Sequence, residues 1–122
     1  RIIVLRTNQI SDVEEAISFA KQLGSKADIA LFQMRLGILQ WRLGDYELSL
    51  LTLKKSLDYY LDLGDHFSLQ TMYSSIGYCY SLLGQPELAL EYTEKAFFSV
   101  AVFRQDYRII ALRLSSALVA LT

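Results

Sequence analysis

The side chains able to do chemistry are few and scattered. His66 is the only histidine and Cys79 the only cysteine of the 122 residues. With no clustered acid–histidine spacing beside them, a metal site is excluded. Glycine-rich phosphate loops, nucleophile elbows and dinucleotide fingerprints are absent. The carboxylates fall on helix caps and polar faces. No catalytic residue, cofactor or metal is expected, and the chain is not expected to be an enzyme. What remains is binding chemistry. Trp41 is either an anchor of the kind enriched at binding hot spots or a helix-packing residue. The same alternative holds for Tyr59-Tyr60 and for Tyr78 and Tyr80. His66, beside Asp65 in a helix's first turn, is expected to be solvated, and Cys79 to be a small buried hydrophobe. Lys54-Lys55 and Glu94-Lys95 are expected on a wet helix face.

The elements that would carry these residues repeat. Leu36-Gly37 aligns with Ile76-Gly77, the run Leu43–Leu50 with Leu83–Leu90, and Ser56 with Ala96, all at an offset of 40. Leu23-Gly24 and Leu63-Gly64 keep the same spacing. A third copy is degenerate, with Arg104 in place of Gly64 and Ala117 in place of Gly77. Upstream, Asp12–Ala16 aligns with Asp45–Ser49, which makes the first copy about two turns short. Capping chemistry sets the boundaries. Ser11 with Glu14 reads as a capping box, Asp45 and Asp65 as N-caps, Gly44 and Gly64 as left-handed helix ends, and Pro86 as a first-turn proline. Helices are expected at about 12–23, 26–43, 46–63, 66–83, 86–103 and 106–121, with residues 1–8 as the tail of an earlier helix. No sustained alternation predicts a strand.

Gly37 and Gly77 fall inside helices, where glycine costs roughly 1 kcal/mol against alanine. Close approach of a neighbouring helix offsets such a cost, because only a missing Cβ permits it. Ser49 and Ala89 are the small residues expected opposite, with Leu36, Leu39, Leu43, Leu50 and Leu53 filling the core.

This pattern resembles the tetratricopeptide repeat. Leu36, Gly37, Gly44, Tyr46, Ser49 and Ser56 carry the resemblance in one copy; Ile76, Gly77, Tyr80, Gly84, Ala89 and Ala96 carry it in the other. It covers the chain from about Ser11 onward. It implies an all-α superhelix of stacked antiparallel hairpins, about six helices in a single domain over 1–122. Repeats are expected at about 26–64 and 66–104, with partial copies at both ends. The commonest form repeats every 34 residues or so. A 40-residue variant resembles repeats of bacterial peptide-responsive regulators, of sensor regions of bacterial signalling enzymes and of some eukaryotic scaffolds.

The resemblance also implies a partner surface. First helices line the concave face, which would hold Leu31, Met34, Ile38, Trp41 and Arg42, then Thr71, Ser74, Tyr78 and Ser81, then Leu114 and Leu118. Family members that clamp a C-terminal carboxylate use Lys, Arg and Asn there. Met34 and Ile38 occupy the matching places, so an apolar or amphipathic protein or peptide segment suits the groove better. A segment of the same parent chain would suit equally.

Composition narrows the rest. Hydrophobic residues make up 52%, charged residues 20%, and mean hydropathy is +0.25. That is apolar for a free-standing domain, and self-association as a homodimer is the alternative role, beside regulation of a neighbouring catalytic or DNA-binding domain. Net charge is −1, from 12 basic and 13 acidic residues. Without a basic face or a Lys/Arg cluster, neither nucleic-acid binding nor membrane contact is expected. The start at Arg1 without Met and the apolar end Ala117–Leu121 read as an excerpt of a longer protein. A cytoplasmic regulator and a periplasmic sensor would share these features.

Overall fold

The computed structural model describes residues 2–104 and 107–121; the side chains of residues 2–8, 107, 109, 110 and 121 lie outside that description. Six helices make up almost all of it: α1 (Ile2–Leu23), α2 (Lys26–Arg42), α3 (Tyr46–Leu63), α4 (His66–Leu82), α5 (Pro86–Phe103) and α6 (Tyr107–Leu121). No strand occurs among the described residues. The fold is all-α, a helical repeat. α4 spans 66–82 against 26–42 for α2, and α5 spans 86–103 against 46–63 for α3, so both helices of the pair recur at the offset of 40. The expected start of the last helix at residue 106 lies outside the described residues.

Tight linkers join the helices, and their glycines adopt the left-handed backbone that ends a helix: φ is 93° at Gly44 and 66° at Gly64. A Cβ at either would meet nothing within 4 Å, so the requirement there is conformational. Asp65 caps α4, accepting hydrogen bonds from the Ser68 backbone N–H (3.1 Å) and hydroxyl (2.7 Å). Asp45 occupies the N-cap of α3 without a side-chain bond. Ser25 caps α2 through the Asp28 N–H at 3.3 Å, a cap the sequence reading did not single out. Arg104, standing where Gly64 stands one repeat earlier, ends α5 in the right-handed region at φ −84°.

One expected boundary is overturned. Ser11 and Glu14 do not begin a helix; they are exposed residues inside α1, which runs unbroken for 22 residues. No glycine or proline interrupts residues 2–23, so nothing breaks the helix there. The first copy is therefore not short. α1 aligns with α3 at 40 residues, bringing Ala16 opposite Ser56 and Ala96, and Gly24 opposite Gly64.

Each helix packs on its chain neighbours, and α2 also touches α4. The Gly37 carbonyl accepts a 2.6 Å hydrogen bond from the buried Ser49 hydroxyl. A Cβ on Gly37 would lie 2.5 Å from Leu53 Cγ, and one on Gly77 3.2 Å from the Ala89 carbonyl oxygen. These are the close approaches that the two mid-helix glycines predicted. One core cluster joins Ala30, Tyr60, Leu69, Met72, Tyr73 and Ala96; another joins Leu53, Ile76 and Tyr80. Of the leucines expected to fill the core, Leu36 and Leu53 are buried, while Leu39, Leu43 and Leu50 are half-buried. Cys79 is fully buried, as expected.

Candidate functional site

The contact between α2 and α4 sets the first helices of consecutive repeats side by side. At their C-terminal ends the indole of Trp41 meets the ring of Tyr78, centroids 5.1 Å apart and planes at 62°. This edge-on arrangement suits the quadrupoles of both rings. The Arg42 guanidinium lies 5.8 Å from the centre of the indole, a cation–π distance. Tyr78 is 49% exposed. Trp41 is half-buried, and its Nε1 is shielded from solvent with no hydrogen-bond partner among the described residues. An exposed phenol, an indole edge and a cation thus form one patch across two repeats.

Beside that patch lies a cleft of about 520 Å³ between α1 and α2. Val13, Ile38 and Leu39 give it apolar walls, and Asp12, Arg35 and Arg42 give it charge. Arg35 and Arg42 are both exposed and lie two turns apart on one helix. Among the described residues neither forms an ion pair.

The other residues expected on this face are distributed unevenly. Leu31 and Thr71 are half-buried, and Ser74 and Ser81 are exposed, Ser74 accepting a 3.4 Å hydrogen bond from Gln70. Met34 is half-buried and packs against both core clusters. Leu114 and Leu118 stand out from α6, 57% and 64% exposed. Arg35, Leu39 and the α1 residues of the cleft were missed by sequence reasoning. The signal for Arg35 was available: Arg35, Ile38, Leu39 and Arg42 follow the i, i+3, i+4, i+7 spacing of one helix face.

Two further expectations change. His66 is half-buried rather than solvated, with Nδ1 shielded and, among the described residues, unpartnered. The exposed lysines of the second helices are not simply wet. Lys54 donates a hydrogen bond to the Tyr80 hydroxyl, and Lys95 sits 4.8 Å from the centre of the Tyr92 ring. The Tyr78 and Tyr80 alternative resolves by side: Tyr78 faces out and Tyr80 is buried. Among the described residues, no group of His, Cys, Asp and Glu could hold a metal ion, and no helix is long and apolar enough to cross a membrane.

Residues 70–97, most of α4 and the first part of α5, match the family model of the tetratricopeptide repeat. The chain carries a tetratricopeptide repeat. Tetratricopeptide repeats mediate protein interactions, and the matched segment suggests a protein-interaction scaffold. The matched segment contains Tyr78 and the Gly77–Ala89 contact that closes the hairpin. No curated protein and no solved structure matches the chain.

Proposed function

We propose that the chain is a protein- or peptide-binding module, the sensing part of a larger regulatory or signalling protein of the bacterial kind its 40-residue period resembles. Its partner surface is the first-helix face of Leu31, Met34, Ile38, Trp41, Arg42, Thr71, Ser74, Tyr78 and Ser81, continued by Leu114. The observation that carries this reading is the Trp41–Tyr78 contact, which joins two repeats while leaving Tyr78 half in solvent. The segment it suits is an amphipathic helix. Its apolar side would lie on Ile38, Leu39 and the two rings, and its acidic side chains would meet Arg35 and Arg42. Neither nucleic-acid binding nor membrane contact is part of this role.

Titrating two synthetic amphipathic helices, each with a leucine face and with either a glutamate or a lysine face, tests it. Backbone NMR should shift Ile38, Trp41 and Tyr78 with the glutamate peptide and leave them with the lysine peptide. Binding confined to another face of the stack overturns the reading.

A second reading is favoured by α6. Leu112, Leu114 and Leu118 are 69%, 57% and 64% exposed, which suits self-association as a homodimer. Light scattering separates the two, because a strict monomer at high concentration removes this one.

A further inference from the structure

The second-helix side of the stack holds two junctions built on one register and filled differently. At the later junction, between α3, α4 and α5, the Tyr92 ring packs 6.0 Å from that of Tyr73 and 5.6 Å from that of Tyr80. Lys54 and Lys95 flank Tyr92 at 5.8 and 4.8 Å from its centre. Tyr73 is only 8% exposed, and Ile76 is fully buried.

Forty residues earlier the same positions are Gln33 for Tyr73, Thr52 for Tyr92, Lys55 for Lys95, Leu36 for Ile76 and Glu14 for Lys54. There the structure has a cleft instead of rings. Its volume is about 290 Å³, and Gln33, Thr52, Lys55 and Glu14 line it over Ile17 and Leu36. That is just under the size of ordinary ligand pockets, which start at about 300 Å³. Lys55 keeps the place of the cation that lies over Tyr92, and Leu36 keeps the apolar floor. Gln40, at the register position of Tyr80 and outside the residues that line the cleft, is 6% exposed, and among the described residues its Oε1 has no hydrogen-bond partner. Tyr80 in that position receives the Lys54 ammonium, whereas Glu14 has no proton to give.

From this pairing we infer that the cleft between α1, α2 and α3 is an aromatic-side-chain site, taking a tyrosine ring carried by a partner polypeptide. The guest ring lies over Leu36 and Ile17 with the Lys55 ammonium at its face, as Tyr92 lies beside Lys95. Its hydroxyl reaches the polar rim, where Glu14 accepts its proton in a hydrogen bond. A tyrosine is favoured over an aliphatic guest because the retained lysine attracts the ring quadrupole and the carboxylate requires a donor. The site shares no residue with the Trp41 patch or the cleft beside it, so it stands or falls independently of that surface.

The test uses the whole chain and N-acetyl-tyrosine amide as the probe, with N-acetyl-leucine amide and free tyrosine as controls. Methyl NMR signals of Ile17 and Leu36 should shift saturably with the tyrosine amide and not with the leucine amide. Gln33→Tyr with Thr52→Tyr rebuilds the later junction in the earlier one; it should raise Tm and abolish the shifts. Should that double variant fail to fold, Lys55→Met serves in its place and should weaken the probe by about two- to five-fold, the worth of one exposed cation–π contact. The inference is overturned by equal response to the leucine amide, by binding of free tyrosine without the amide, by an unaltered response in the folded double variant or in Lys55→Met, or by no shift at the solubility limit of the probe.

Discussion

The Ser49 hydroxyl donates a 2.6 Å hydrogen bond to the Gly37 carbonyl across the α2–α3 hairpin. Both residues are buried, and Leu53 covers the glycine so closely that a Cβ would lie 2.5 Å from its Cγ. The equivalent glycine of the next repeat is less confined, its nearest neighbour being Thr93 Oγ1 at 3.1 Å. Substituting alanine at either position gains up to about 1 kcal/mol of helix propensity. At Gly37 the clash with a fully buried leucine outweighs that gain, since overpacking costs about 1–3 kcal/mol. Gly37→Ala should therefore lower stability in urea unfolding, and Gly77→Ala should stay within about 1 kcal/mol of the parent. The reverse order would contradict the packing described here.

The fold should be sensitive to alkali. Burial raises the Cys79 thiol above its ordinary 9.0, more than the nearby Ser49 hydroxyl lowers it. Burial likewise raises the hydroxyls of Tyr60 and Tyr73 above 10.0. In each case the unfolded chain loses its proton first, so the folded state binds more protons and stability falls as pH rises. The contribution is complete below pH 9 and is lost upward from there, first through Cys79 and then through the tyrosines. Urea midpoints measured from pH 7 to 11 should decline, and Cys79→Ala should flatten the first part of the decline. A flat profile would mean that these groups titrate alike in both states.

The last helix should detach on its own. Among the contacts of the described residues, α6 meets α5 through the Arg113–Glu94 ion pair at 2.8 Å and the Arg113 guanidinium 4.3 Å from the centre of the Phe97 ring. Both charged partners are nearly half exposed, so the pair is worth at most about 1 kcal/mol. Arg113→Ala should speed amide exchange throughout α6 while leaving the global unfolding midpoint unchanged. A large drop in that midpoint would mean that α6 belongs to the cooperative core.

Most of the fold was legible because the repeat signals are local. Gly44 and Gly64 mark helix ends by backbone conformation, Gly37 and Gly77 mark close contacts by their missing Cβ, and Asp65 and Pro86 mark helix starts. The one misplaced start, at Ser11, shows the limit of such signals. Ser-x-x-Glu satisfies a helix end but is equally compatible with a helix interior, and the longer register, Ala16 with Ser56 and Ala96, decides between them. The interaction face was only partly legible. Sequence spacing brought out Trp41 and Tyr78, but their contact depends on how α2 and α4 stack. The cleft beside Ile38 depends on α1 reaching back to Gln9, which an expected first helix starting at residue 12 had left out.

The partner surface is most directly tested through Trp41, the only tryptophan in the chain. Its fluorescence is recorded while the leucine–glutamate amphipathic helix is added to the parent protein and to Tyr78→Ala. The parent should give a saturable change, and Tyr78→Ala, which keeps Trp41 but removes its exposed neighbour, should bind at least ten-fold more weakly, a loss of about 1.4 kcal/mol. An unchanged affinity in Tyr78→Ala, or no response of Trp41 in the parent, would contradict the assignment of this face as the binding surface.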